Sequence, residues 1–229
     1  MTKSNKRTPK DALTDLLLEF IEAATHEFLF AWSVYPKESF EPRVLYDVPV
    51  HMNRYPVLCE YIHSLLAGCR AWIYSGEIEK LCVVVLSEGG RVMDTLVIET
   101  KWVAAARNDA ASSSPPSAGG SHALPLVQLE EAFRTALVAL IAAPVSKNAR
   151  ASSSGLKPNS FRILAHTNED VSRPGASLDE GHVGNSWVLA DPSWHEDESK
   201  QEDEKQIVPV KSIQTSELPF KLQMYLETR

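Results

Sequence analysis

The feature that most constrains the fold lies near the N-terminus, where a helix is apolar around too much of its circumference to lie on a surface. Thr8-Pro9-Lys10-Asp11 reads as a helix start, with Thr8 as N-cap and Pro9 at the first helical position. Leu13, Leu16, Leu17, Phe20, Ile21, Ala24, Phe28 and Trp32 then cover more than one stripe. Such a helix is packed on several sides, so residues 9–33 are expected to form a central helix that other elements enclose. Tyr35-Pro36 ends it.

The remaining pattern mixes helices and strands. Val44, Tyr46, Val48 and Val50 alternate, which predicts a short extended segment. A second helix is expected from Pro56, with Leu58, Ile62, Leu65, Cys69 and Trp72 at helical spacing and Gly76 just beyond its end. Residues 81–86 and 92–99 flank the turn sequence Ser87-Glu88-Gly89-Gly90 and read as a hairpin of two buried strands. A third helix follows Pro125, with Leu126, Leu129, Phe133, Leu137, Leu140 and Ile141 on one face and Pro144 as its stop. Phe161, Ile163 and Ala165 alternate in a further strand. Three short β-like pieces follow, at residues 187–190, 207–210 and 220–226. In the last, Phe220, Leu222, Met224 and Leu226 point one way, while Lys221, Gln223, Tyr225 and Glu227 point the other. Flexible loops are expected at 104–123, 145–159 and 192–206, the first two rich in Ser and Ala. The stretch 196–205 holds six acids and two lysines and reads as a solvated loop. No internal repeat is apparent.

Composition narrows the function. With 229 residues, 44% hydrophobic and 23% charged, the chain can bury a core. No apolar run approaches the ~20 residues of a membrane helix. The net charge of −7 argues against a protein that grips nucleic acid directly. Lys3, Lys6, Arg7 and Lys10 read as a solvated basic terminus rather than an import signal. Cys59, Cys69 and Cys82 form no Cys-x-x-Cys pair, so they are expected to be small buried hydrophobes in a reducing compartment.

Catalytic signatures are missing. There is no phosphate-cradling glycine loop, no Gly-x-Ser-x-Gly and no His-Glu-x-x-His, and the seven histidines are scattered without metal-ligand spacing. Ser193, His195 and Asp197 are near neighbours in one acidic loop, whereas a triad needs groups held from separate elements. The expectation is a protein with no catalytic residues, metal or cofactor, binding through its surface. Two aromatics stand out: Tyr61, one position before the core residue Ile62, and Trp187 in Ser186-Trp187-Val188-Leu189. Each is either an ordinary core anchor or part of a peptide groove.

These stretches carry a family likeness. Val34-Tyr35-Pro36, Tyr46-Asp47-Val48-Pro49-Val50-His51-Met52, Glu60-Tyr61-Ile62, Leu164-Ala165-His166-Thr167, Trp187-Val188-Leu189-Ala190-Asp191, Val208-Pro209-Val210-Lys211 and Lys221-Leu222-Gln223-Met224-Tyr225 together resemble the HORMA accessory subunits of translesion DNA polymerase zeta. The likeness is collinear over nearly the whole chain.

The resemblance implies an α+β HORMA domain over residues 9–229 after a basic tail (1–8). Three helices pack on an antiparallel sheet, with a core to about 167 and a C-terminal safety belt over about 168–229. It implies a nuclear adaptor, present also in the cytoplasm. The belt traps an extended closure peptide of the polymerase's catalytic subunit as an added strand. By motif, Tyr61 and Trp187 would contact that peptide. Ile207, Gln223 and Tyr225 would bind the C-terminal domain of the scaffold translesion polymerase. Arg134 would serve HORMA–HORMA pairing. The stretch Glu41-Pro42-Arg43-Val44-Leu45 departs from the basic stretch of that family, which puts the pairing in question. Enlarged loops cost about 0.6 kcal/mol per doubling, so the fold is expected to tolerate them. A spindle-checkpoint or chromatin-associated HORMA adaptor would share the fold with other closure peptides; an enzyme is the alternative of a different class.

Overall fold

The computed structural model describes residues 8–103, 126–143, 158–168, 187, 206–214 and 218–228. Helix α1 spans Pro9–Ala31 and opens with a capping box. The Asp11 N–H donates to the Thr8 hydroxyl at 3.2 Å and the Thr8 N–H donates to the Asp11 carboxylate at 3.0 Å. The Thr8 hydroxyl also donates to that carboxylate at 2.6 Å; this bond, then the one from the Thr8 N–H and the Arg70 guanidinium, hold the Asp11 carboxyl down to about 2. The helix stops two residues short of the predicted end, because Ser33 takes a left-handed φ of 52°. As its all-round apolar pattern required, α1 is enclosed: Leu17, Phe20, Ala24 and Leu29 are all fully buried.

After a single 3-10 turn, Lys37–Ser39, the stretch expected to be one extended segment is a hairpin of β1 (Phe40–Leu45) and β2 (Val48–Asn53). Helix α2 runs Pro56–Ser75 and ends on Gly76 at φ 82°, the left-handed cap that a Cβ would strain. Strands β3 (Ile78–Ser87) and β4 (Val92–Trp102) form the expected hairpin, longer at both ends. Helix α3 covers Leu126–Ala142. Its buried face is Leu129, Phe133, Ala136, Leu137 and Leu140; Leu126 and Ile141, assigned to that face from spacing, are about two-fifths exposed because they lie at its rim.

Strand β5 is Pro158–Thr167, so residues 158 and 159 are strand rather than loop. Strands β6 (Gln206–Ile213) and β7 (Phe220–Thr228) close the chain, and Gln206 likewise leaves the predicted 192–206 loop. The loop at 104–123, the rest of those at 145–159 and 192–206, tail residues 1–7 and the β-like residues 188–190 lie outside the described residues.

The five long strands form one antiparallel sheet ordered β5-β3-β4-β7-β6, and the three helices cover one face of it. Residues of opposite parity on each strand face opposite sides. Leu81, Val83, Val85, Leu96, Ile98, Phe220, Leu222, Met224 and Leu226 join the helices in one core. Phe20 stacks on Phe133 at 4.4 Å, and Phe133 reaches Phe220 at 6.4 Å, which joins α1 to α3 and α3 to the sheet. Arg70 binds Asp11 and Asp15 and ties α2 to α1. Cys69 and Cys82 are buried as expected, and burial pushes the Cys69 thiol up to about 12. Cys59 is only half-buried; its thiol donates to the Asn53 carbonyl. Lys10 is no free tail residue, since its Nζ lies 4.5 Å from the Tyr74 ring and 4.7 Å from that of Trp102. No described helix is long and apolar enough to cross a membrane.

Candidate functional site

Among the described residues strand β5 pairs along one side only. Its ladder with β3 runs from Ile78↔Thr167 to Ser87↔Pro158, and among the described residues no strand pairs with its outer edge. Such an edge presents a row of backbone donors and acceptors ready for another strand. Aromatic rings flank it. Tyr61 on α2 meets Phe161 on β5 edge-to-face at 6.0 Å, and Tyr35 meets the same ring at 6.3 Å. Tyr61 is 44% exposed, so it is no sealed core anchor. Burial raises the phenols of Tyr35 and Tyr61, keeping both as neutral hydrogen-bond donors.

Trp187 rests against the same helix, further along it. Its Nε1 donates to the Leu65 carbonyl at 3.1 Å and its ring meets Trp72 edge-to-face at 6.1 Å. Gly68 forms the floor of this seat, where a Cβ would stand 3.2 Å from the indole Nε1 and 3.3 Å from its Cδ1. Tyr61, Leu65, Gly68 and Trp72 recur at helical spacing of three and four, so Tyr61 and the Trp187 seat share one stripe of α2, roughly 6–10 Å apart along its axis. The signal for the seat was Gly68 itself: glycine inside a helix costs about 1 kcal/mol against alanine and marks a close approach.

The connection from β5 to β6 must run from one edge of the sheet to the other, four strand spacings or roughly 19 Å away. It contains 38 residues (205 − 167), and Trp187, near its middle, rests on α2. Fully extended, such a length reaches on the order of 130 Å. It can therefore pass around an additional strand lying on the β5 edge.

The second group of expected residues lies on the sheet's outer face, away from the helices. Directly opposed residues of an antiparallel pair share a face. Gln223 stands between Glu99 and Ser212, Tyr225 between Val97 and Pro209, and Ile207 opposite Glu227. The structure thus brings Gln223, Tyr225 and Ile207 onto one face. Gln223 is exposed, Ile207 is 62% exposed and Tyr225 is half-buried. The Tyr225 hydroxyl donates to Glu99 at 2.8 Å; burial, and then that carboxylate, raise its pKa, so it remains a donor. Its ring borders a small apolar cluster of Cys82, Val84, Leu86 and Val97.

Arg134 is elsewhere. Its Nε donates to the Tyr46 carbonyl at 2.9 Å and its Nη2 to the Asp47 carboxylate. Tyr46 and Asp47 form the β1–β2 turn with φ of 48° and 58°, costly values for residues other than glycine. Tyr46 is held further by Glu19, at 3.2 Å from its hydroxyl, and by the Phe133 ring at 5.4 Å. Arg134 is therefore engaged within its own chain, clamping a strained turn, while Arg43 pairs with Glu41 two residues away. Among the described residues no group of three His, Cys, Asp or Glu side chains could hold a metal ion.

No protein-family model matches the chain. It is 27% identical over 219 residues to the mitotic spindle assembly checkpoint protein MAD2B of Danio rerio, covering 95% of this chain and 91% of that one. The Homo sapiens protein of the same name is 27% identical over 221 residues, with the same coverage. The DNA polymerase zeta processivity subunit of Arabidopsis thaliana is 36% identical over 72 residues, 31% of this chain and 34% of that one. Among solved structures, a chain of the mitotic checkpoint complex matches with TM-score 0.67 at 17% identity, over 95% of this chain and 99% of that one. Caenorhabditis elegans HTP-2 bound to the HIM-3 closure motif matches with TM-score 0.58 at 12% identity, over 96% and 91%. The family resemblance and the HORMA fold expected from the sequence are both borne out.

Proposed function

From a HORMA-fold homologue of the MAD2B proteins, we propose a non-catalytic adaptor of translesion DNA synthesis that traps a closure peptide of the catalytic subunit of DNA polymerase zeta. The observation that carries this reading is the outer edge of β5, unpaired among the described residues and flanked by Tyr61 and Phe161, with the chain segment joining the two sheet edges seated on α2 through Trp187. An extended peptide adds there as a sixth strand and is held by the safety belt, about residues 168–229, which follows a core ending at about residue 167. Release then requires the belt to open locally, which slows dissociation without a large interface. Gln223, Tyr225 and Ile207 on the opposite face receive the C-terminal domain of the scaffold translesion polymerase, so one small subunit bridges two polymerases. The charge of −7 suits a protein that contacts proteins while the polymerase contacts DNA, and the reading places it in the nucleus.

The test is affinity purification with mass spectrometry from damaged cells, comparing wild type with a Tyr61→Ala, Trp187→Ala double variant. The catalytic polymerase subunit is expected with wild type and absent with the variant. If the folded variant retains it equally, these residues are not the trap. A second reading, a spindle-checkpoint adaptor, draws on the likeness to a chain of the mitotic checkpoint complex, and recovery of checkpoint partners in place of the polymerase would favour it.

A further inference from the structure

At one end of the sheet, below the C-terminus of α2, lies a cavity of about 650 Å³. Three lysines line it: Lys80 on β3, Lys101 on β4 and Lys221 on β7. Lys101 and Lys221 stand directly opposite each other in the β4–β7 register. Like charges placed so are destabilising. Among the described residues neither forms an ion pair, and nor does Lys80. Of the two lining acids, Glu99 already accepts the Tyr225 hydroxyl; Glu79 is the other. The helix C-terminus does not supply the missing negative charge, because the Trp72 and Ile73 carbonyls already accept the N–H groups of Gly76 and Glu77 and the indole of Trp102. Among the described residues the cavity sets three lysines against two carboxylates, a locally cationic lining on a chain of net charge −7.

We propose that this cavity is a docking site for an acidic peptide segment of a protein partner, with a carboxylate held between Lys101 and Lys221. Gln223 and Ser212 line the same wall and supply neutral hydrogen-bonding groups. The volume falls in the range of pockets that enclose several groups of a ligand rather than a lone ion. Nucleic acid would need a broad basic surface, which the overall charge denies. Gln223 connects the cavity to the outer face assigned above to the scaffold polymerase. Identifying the occupant as part of that partner rests on that reading; the preference for an acidic peptide rests on the lysines alone. The device trades stability for binding: the lysine pair costs folding energy until an acid neutralises it.

The probe is a fluorescein-labelled hexaglutamate peptide, followed by anisotropy on the full chain, with hexaglutamine as neutral control and inorganic phosphate as competitor. Hexaglutamate is expected to bind, more weakly as salt rises. Lys101→Gln and Lys221→Gln should each weaken it about three- to fivefold, and the pair about tenfold or more, roughly the effect of one or two partly exposed charge pairs. Both variants should melt unchanged or up to about 2 °C higher as the repulsion is relieved. Binding that survives in the double variant overturns the proposal, as does equal binding of hexaglutamine, or full displacement by phosphate at low millimolar concentration, which would mean a free-anion site. Tyr225→Ala separates the readings: if it leaves the scaffold domain bound while hexaglutamate still needs both lysines, the outer-face assignment fails and the acidic site stands.

Discussion

Replacing Gly68 by alanine should separate the stability of the fold from the grip on the peptide. In the helix, alanine gains about 1 kcal/mol over glycine. The new Cβ, however, would stand 3.2 Å from the Trp187 Nε1 and 3.3 Å from its Cδ1, so the indole must retreat by a few tenths of an ångström. Its hydrogen bond to the Leu65 carbonyl begins at 3.1 Å and that retreat takes it to the limit of a bond. Losing that bond costs about 1 kcal/mol, and weakening the edge-to-face contact with Trp72 costs up to about another. Unseating Trp187 by about 1–2 kcal/mol corresponds to a factor of roughly 5–30. In the proposed trap release runs through opening of the belt, so the factor should fall on the dissociation rate of a preformed complex with the proposed closure peptide, read on a biosensor surface. The melting temperature of the free protein should move by no more than about 2–4 °C in either direction, since the helix gain and the seat loss oppose each other. Trp187→Phe, which keeps a ring but removes the donor, should give about half the kinetic effect on a logarithmic scale. An unchanged dissociation rate with a melting temperature raised by the full helix gain would refute the argument, for the glycine would then serve no seat.

Two further outcomes follow from buried and strained groups. Burial depresses His26 from its ordinary 6.5 to about 4. The unfolded chain therefore takes up a proton between pH 6.5 and 4 that the folded chain refuses, so the stability this group leaves intact above pH 6.5 is lost as pH falls to 4, by at most about 3 kcal/mol. Denaturant melts of wild type and His26→Gln across that window should diverge in slope; the neighbouring ionisable pair Glu27 and His51 is common to both proteins, so parallel slopes would remove His26 as the cause. Arg134→Ala should cost no more than about 1 kcal/mol overall, its ion pair being largely exposed, yet hydrogen exchange at residues 44–48 should accelerate as the turn loses its clamp. Unchanged exchange, together with a loss of self-association in light scattering, would instead assign the arginine to HORMA–HORMA pairing alone.

What could be read from the sequence was local. The Thr8 N-cap, the Gly76 terminus and the alternation of β7 are each specified by residues a few positions apart, and each stands where the pattern put it. The β1–β2 hairpin was not legible, because its turn residues are Tyr46 and Asp47 rather than glycine or asparagine, and what holds them is Arg134, 88 residues away from Tyr46. Strand β6 hid its facing for a related reason. A register shift between Pro209 and Lys211 breaks the period of two, so only pairing with β7 puts Ile207 on the face of Gln223 and Tyr225. The peptide edge is the extreme case. Tyr61 and Trp187 looked alike as isolated aromatics, each readable as a core anchor or as part of a groove, and the fold treats them differently. Tyr61 stands half-open over Phe161 on the strand whose outer edge no described strand pairs, whereas Trp187 anchors a long connection to the helix by one hydrogen bond and a missing Cβ 119 positions earlier in the chain (187 − 68). A residue that fixes the path of a connection gains its meaning from the two sheet edges it lies between, and those edges exist only once all five strands have paired. Alanine at 61 should therefore lower the affinity for the peptide through lost contact, while alanine at 187 should shorten its residence time more than it slows its arrival.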